Sequence, residues 1–167
     1  MAKNWVVVAN NNQARIFTPA PPAPRLIDPP RSAAEASAPS RLVELETLEH
    51  PEGRLKSQSI DADRPGRSFE SAGAKRHAMS REVDAKKQAA IMFAGQVAER
   101  LESARLQGEV DRLILVAAPE FLGLLRDKLT SELGRTIEKE FSLDIAQMTP
   151  QEIRAHLPET LFPLPVK

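Results

Sequence analysis

The chain has 167 residues, enough for one domain with a sizeable hydrophobic core but not for two of full size. Its 23 Lys and Arg residues balance 23 Asp and Glu residues, which excludes a protein that coats nucleic acid through overall basic charge. The absence of cysteine excludes disulfide frameworks, Cys-ligated zinc and thiol catalysis. Aromatic residues make up only 4% of the chain, which argues against platforms that stack nucleic-acid bases.

Three strands are predicted in the first fifty residues. The apolar run from Trp5 to Ala9 is typical of a strand buried on both faces. After an Asn-rich turn, Ala14 to Thr18 is typical of the returning strand of a hairpin. Leu42 to Glu49 predicts a half-buried strand, because apolar or Thr positions alternate with glutamates. The alternating positions are Val43, Leu45 and Thr47 against Glu44 and Glu46.

Two irregular segments interrupt this pattern. Residues 19–41 hold seven of the 14 prolines, with Ala and Ser in most other positions, and predict a flexible insertion with local polyproline-II character. PxxP ligand motifs occur in it, but such motifs arise readily in any Pro-rich linker. Residues 50–83 are rich in charge, Ser and Gly and lack hydrophobic periodicity, which predicts a long loop that is either functional or disordered.

The second half of the chain alternates helices with strands. A helix capped by Asp84 and stopped by Gly108 is predicted from one apolar stripe. The stripe consists of Ala90, Phe93, Val97, Leu101 and Ala104. Arg112 to Ala117 predicts a second buried strand, and Pro119 opens a helix whose inward residues are apolar. Those inward residues are Phe121, Leu122, Leu125 and Leu129.

The last elements are a fifth strand and a short helix. Ile137, Phe141, Leu143 and Ile145 share one parity, as in a half-exposed strand. Thr149-Pro150-Gln151-Glu152 forms a capping box that opens a terminal helix through about His156.

The order β-β-β-α-β-α-β-α predicts a single α/β domain over residues 1–167. Three consecutive strands favour an antiparallel meander, and the rest requires right-handed parallel crossovers. The two most apolar strands should be adjacent at the centre of the sheet. We therefore expect a mixed five-stranded sheet in the order 3-2-1-4-5 with helices on its faces, the ribonuclease H-like arrangement.

A local excess of positive charge lies within the second irregular segment. Residues 64–81 carry five cations and one carboxylate, a net charge of +4 on a remainder of −4. Arg side chains and exposed backbone N–H groups suit phosphate oxygens. The candidate phosphate-binding or RNA-binding residues are Arg64, Arg67, Ser68, Lys75, Arg76 and His77. The alternative is a solvated loop whose arginines pair with carboxylates such as Asp61 and Asp63.

Several segments resemble the bacterial host attachment protein family, over nearly the whole chain except the Pro-rich insertion. These segments are Trp5 to Asn10 with Ala14 to Phe17, Asp63-Arg64-Pro65-Gly66-Arg67-Ser68-Phe69, Gly73-Ala74-Lys75-Arg76-His77-Ala78-Met79, Leu115 to Arg126, and Thr149 to Leu157. Members of this family are described as required for attachment to host cells. They are also regarded as relatives of the middle, peptidyl-tRNA-hydrolysing domain of archaeal and eukaryotic release factors, which implies the same ribonuclease H-like fold.

The resemblance implies RNA contact more than hydrolysis. In release factors the catalytic Gly-Gly-Gln lies between the third strand and the first long helix, the place of the cationic segment here. No Gly-Gly-Gln occurs in this chain, and Gln58, the only glutamine in residues 50–83, lacks flanking glycines. We therefore predict no catalytic residues, although peptidyl-tRNA hydrolase-like activity stays open.

Other kinds of chemistry find little support. The three histidines, His50, His77 and His156, lack ligand spacing, so we expect no metal and no cofactor. A two-metal nuclease would need its carboxylates on the central strands, and the acidic pairs of this chain do not lie there. A serine nucleophile with His77 as its general base is not supported either, because no recognisable spacing would bring the two side chains together.

Two functions remain. The first is a cytoplasmic RNA-associated module whose partner is tRNA or the ribosome. The second is a protein-interaction factor that supports host attachment indirectly through an unknown protein partner, without nucleic acid. The short apolar run near the N-terminus is not a signal peptide, and no apolar run is long enough to span a membrane, so we expect a cytoplasmic location and no membrane partner.

Overall fold

A computed structural model describes residues 2–21, 40–50 and 72–162, with the backbone alone for residues 72–79. The strands are β1 (Asn4–Ala9), β2 (Gln13–Ala20), β3 (Arg41–Glu49), β4 (Arg112–Ala117) and β5 (Ile137–Ser142). The helices are α1 (Ala72–Leu106), α2 (Pro119–Lys128), α3 (Ser131–Thr136) and α4 (Pro150–Ala155).

The strands form one mixed sheet in the order β3-β2-β1-β4-β5, which confirms the predicted architecture. β1 pairs antiparallel with β2, and β2 pairs antiparallel with β3. β1 pairs parallel with β4, and β4 pairs parallel with β5. Fully buried Val and Leu residues on β1 and β4 place these two strands at the centre, because only central strands are covered on both faces.

Helices cover both faces of this sheet. Trp5, Val7 and Ala9 of β1 pack in one core with apolar residues of α1, α2 and α3. Val6 and Val8 pack in a second core with residues of α4 and the segment after it. The predicted stripe of α1 is buried: Phe93, Val97, Leu101 and Ala104 pack in the first core, and Ala90 is buried as well.

The predicted helix ends are confirmed at two positions. Gly108 follows α1 with a φ of 67°, and the N–H groups of Gly108 and Glu109 donate to the carbonyls of Arg105 and Ala104. This is the Schellman pattern, which suits glycine because it lacks a Cβ. Thr149 and Glu152 form the expected capping box at the start of α4.

The expected start of α1, directly after a cap at Asp84, is wrong by thirteen residues. The helix begins at Ala72, and Asp84 is an exposed residue within it rather than its cap. Residues 72–83 of the predicted loop 50–83 are therefore helical, and residues 51–71 of it lie outside the described residues. The sequence pattern missed this part of the helix because periodicity detects a helix through its buried face, and the residues from Ser80 to Gln88 are all exposed.

Irregular pairing in the edge strands changes which residues face the core. In β3 the register shifts so that Ile16 lies opposite Glu46 and Phe17 opposite Glu44, which leaves Leu45 between them and 50% exposed. The predicted simple alternation of β3 is therefore wrong, and Leu42 and Leu48 are the residues that pack in the cores.

A similar shift occurs in β5. Leu113 lies opposite Ile137 but Ile114 lies opposite Lys139, so Ile137 packs against the first core and Phe141 against the second. Their predicted common face is wrong, and the short helix α3 before them was not predicted.

The ends of the Pro-rich insertion belong to the sheet. Pro19 pairs with Leu42 and Ala20 with Arg41, so β2 continues two residues beyond its expected end. Pro19 is compatible with this position near the end of a strand. The predicted flexible character of the insertion otherwise falls on residues 22–39, which lie outside the described residues.

Candidate nucleic-acid interface

The structure places only some of the predicted phosphate contacts. Arg64, Arg67 and Ser68 lie outside the described residues. Lys75, Arg76 and His77 lie in the first two turns of α1, where the backbone is described but the side chains are not. These three residues therefore have the fixed spacing of a helix and not the freedom of a loop.

Two contacts, one just after its last residue and one near its middle, show how α1 runs across the sheet. After its last residue, the carbonyl of Gly108 accepts a hydrogen bond of 2.7 Å from Lys3 Nζ, next to the start of β1. Further back in the helix, the ring of Phe93 lies 5.7 Å from that of Phe121, in the first turn of α2 and just after β4 ends. Helix α1 is therefore antiparallel to β1 and β4, and its N-terminus points past their carboxyl ends.

The helix is much longer than the sheet that supports it. Its 35 residues span about 52 Å, whereas the six-residue strands β1 and β4 span about 20 Å. Among the side chains of α1 that the structure describes, Ala90 is the first that is buried, and Ser80 to Gln88 are all exposed. The 18 residues before Ala90, residues 72–89, are called the arm, and at about 1.5 Å per residue they extend about 27 Å from it along the helix axis.

This arm concentrates positive charge. Five cations and two carboxylates lie on it: Lys75, Arg76, Arg81, Lys86 and Lys87 against Glu82 and Asp84. Lys86 and Lys87 were not among the predicted contacts, because the expected helix start at Asp84 assigned them to the first turn of a packed helix.

A turn held by Asn10 lies at the carboxyl end of β1. Asn10 is buried, and its Oδ1 accepts hydrogen bonds from the N–H groups of Asn12 at 2.9 Å and Gln13 at 3.0 Å. Its Nδ2 donates to Asp144 at 3.4 Å. Asn10 therefore fixes the β1–β2 turn. The nearby N-terminus of α2 carries Glu120 in its first turn, where a carboxylate complements the helix dipole and disfavours a bound anion.

The acidic residues of β3 are held in ion pairs on opposite faces of the sheet. Arg15 donates two hydrogen bonds to Glu44, at 3.1 and 2.8 Å, and these lower the pKa of that carboxyl below its usual value of 4.5. Glu46 accepts a bond of 2.9 Å from Arg100, which lies over the Trp5 ring. Both carboxylates thus serve the attachment of β3.

The histidines are also separate from one another. His50 packs edge-on against Phe93 with ring centroids 5.5 Å apart, and His156 ends α4. Among the side chains described within residues 2–21, 40–50 and 72–162, which leave out those of 72–79, no three of His, Asp or Glu are arranged to hold a metal ion. In the same part of the chain, none of the helices is both long and apolar enough to cross a membrane.

Comparison with known proteins gives the chain a family. It is 30% identical over 105 residues to a protein of Rickettsia prowazekii (strain Madrid E) named "Uncharacterized protein RP470". That match covers 62% of this chain and 65% of the relative, so it spans slightly less than two thirds of the relative's length. Residues 5–157 match the family model described as "Protein required for attachment to host cells", and the chain belongs to this host attachment family.

Proposed function

We propose that this host attachment protein is an RNA-associated module, with tRNA or the ribosome as its partner. Its phosphate contacts would come from Arg64, Arg67, Ser68, Lys75, Arg76 and His77. The observation that carries the proposal is the arm of α1, a helix segment without buried residues from Ser80 to Gln88 that holds cations away from the folded body.

The length of the arm matters electrostatically. The whole chain is neutral, so a partner near the body meets as many carboxylates as cations. At 0.15 M ionic strength charges are screened within about 8 Å, and the arm extends about three times that distance. A polyanion at the arm therefore feels the local positive charge with little opposition from the body. The resemblance to the middle domain of release factors favours RNA as that polyanion.

Binding without hydrolysis is the chemistry that these residues support. The chain has no Gly-Gly-Gln, and its few aromatic residues limit contacts to phosphates rather than stacked bases. Affinity should therefore fall steeply with salt and depend weakly on RNA sequence.

The test is to measure tRNA binding and co-sedimentation with ribosomes for the wild type and for Arg64→Ala/Arg67→Ala/Arg76→Ala across a range of salt. The triple variant should bind weakly and with a shallower salt dependence. A control variant, Lys128→Ala/Arg135→Ala/Lys139→Ala, removes the same charge from exposed positions on the body and should bind like the wild type. Equal affinity of the wild type and the first triple variant would overturn the proposal.

A second measurement separates this proposal from an RNA-independent protein-interaction role. Partners captured from a bacterial lysate should be lost after ribonuclease digestion, and cell fractionation should place the protein in the cytoplasm. Retention of the same protein partners after digestion would instead favour the protein-interaction role.

A further inference from the structure

The helical repeat relates each position in the first half of α1 to a position in its second half that faces the same way. An α-helix has 3.6 residues per turn, so residues 18 positions apart lie on the same side of it, five turns from one another. The 18 residues of the arm therefore repeat the directions of residues 90–107. The buried stripe of the packed half can be compared with the arm position by position.

Buried positions of the packed half correspond to a basic stripe on the arm. The buried residues are Ala90, Phe93, Ala94, Val97, Ala98, Leu101 and Ala104. Their counterparts 18 residues earlier are Ala72, Lys75, Arg76, Met79, Ser80, Val83 and Lys86. Lys87 lies seven residues before Ala94, within about 20° of its direction. The face that enters the core thus continues beyond the sheet with four cations: Lys75, Arg76, Lys86 and Lys87.

We infer that this basic stripe binds the phosphate backbone of RNA. The inference rests on the proposed function and adds to it Lys86 and Lys87, together with the side of the helix on which RNA lies. The carboxylates Glu82 and Asp84 fall outside the arc of the buried stripe, as does His77, and Arg81 lies on the opposite side, 18 residues before exposed Glu99.

The spacing of the stripe fits a chain of phosphates rather than one anion. Its two pairs, Lys75 with Arg76 and Lys86 with Lys87, are eleven residues apart, or about 16 Å along the helix axis. A single phosphate cannot reach both pairs, whereas a nucleic-acid backbone that follows the arm can contact each of them.

A lipid surface is the less suitable occupant of this face. The apolar residues on the stripe are Ala72, Met79 and Val83, and Val83 is 62% exposed. The arm has no Trp or Phe, the residues that bury into a membrane interface. Charge rather than apolar area therefore dominates the stripe.

The test compares two faces of the same helix in the full-length protein. Lys86→Gln/Lys87→Gln removes two cations from the stripe, and Arg81→Gln/Lys128→Gln removes one from the opposite side of the arm and one from the body. The probe is a fluorescently labelled deacylated tRNA, titrated at several salt concentrations, with circular dichroism to show that helix content is unchanged. Each phosphate contact contributes about four- to sixfold to affinity at 0.15 M salt.

The first variant should bind about 15- to 30-fold more weakly than the wild type and lose about 1.4–1.8 from the slope of log K against log[salt]. The second variant should keep the affinity and slope of the wild type. If the wild type binds tRNA but both variants behave alike, the stripe is wrong and the proposed function stands. If the wild type binds neither tRNA nor ribosomes, or binds only vesicles rich in phosphatidylserine, both the stripe and the proposed function are wrong.

Discussion

Arg154 donates a hydrogen bond of 2.7 Å from Nε to the backbone oxygen of Ser40, 114 residues earlier in the chain. Arg154 is 8% exposed, and the other donors of its guanidinium reach three more carbonyls at 2.8–3.3 Å. Those carbonyls belong to Leu157, Pro158 and Glu159. Burial lowers the pKa of Arg154, although a guanidinium keeps its proton in proteins. This one side chain joins the start of β3 to the segment after α4.

We expect Arg154→Met to lower the free energy of unfolding by about 2–4 kcal/mol, because several partly buried carbonyls lose a charged donor together. Urea denaturation monitored by circular dichroism measures the change. Arg135→Met, at an exposed position of α3, should change the stability by less than about 0.5 kcal/mol. A similar small effect at Arg154 would show that water replaces its hydrogen bonds.

Two glycines provide a matched pair of opposite effects. Gly108 has a φ of 67°, which strains any residue with a Cβ, whereas Gly95 lies within α1 with no atom in the way of a Cβ. Gly108→Ala should cost about 1–2 kcal/mol of stability, and Gly95→Ala should add about 0.5–1 kcal/mol. Thermal unfolding of the two variants measures whether each substitution lowers or raises the stability. A loss at Gly95 would contradict the open space beside it.

The ion pair between Arg15 and Glu44 predicts a dependence on acid. The hydrogen bond from Arg15 lowers the pKa of Glu44 in the folded protein, against the opposing effect of burial. The stabilisation is therefore complete above about pH 4.5, the usual value for this carboxyl, and is lost as the pH falls through the lower value of the folded state.

Accordingly, Glu44→Gln should reduce stability by about 1 kcal/mol at pH 7 and have little effect at pH 3. Urea unfolding of the variant and the wild type at both values measures the difference. Glu132→Gln breaks a more exposed pair with Arg135 and should have little effect at either pH. An equal loss from Glu44→Gln at pH 3 would assign the effect to packing rather than to charge.

The sheet order was predictable from the sequence because its main determinants are local. The apolar runs of β1 and β4 identify the central strands, and Gly108 and the Thr149 capping box mark helix ends through backbone chemistry. The bulge at Leu45 was not predictable, because it depends on pairing with β2 across the Pro-rich insertion. The first turns of α1 were not predicted for the opposite reason: the residues from Ser80 to Gln88 are exposed, and only a buried face leaves a hydrophobic period in the sequence.

The arm also predicts a contrast in local stability within one helix. Residues from Ser80 to Gln88 are exposed and make no contribution to either core, whereas the residues from Ala90 to Ala104 include the first core's buried stripe. Since helices without packing open with little cost, backbone amides of Ser80–Gln88 should exchange with solvent much faster than those of Ala90–Ala104. Hydrogen exchange measured by mass spectrometry tests this, and added tRNA should slow exchange in the arm alone. Equal protection of both halves of α1 in the free protein would mean that a further part of the chain packs on the arm.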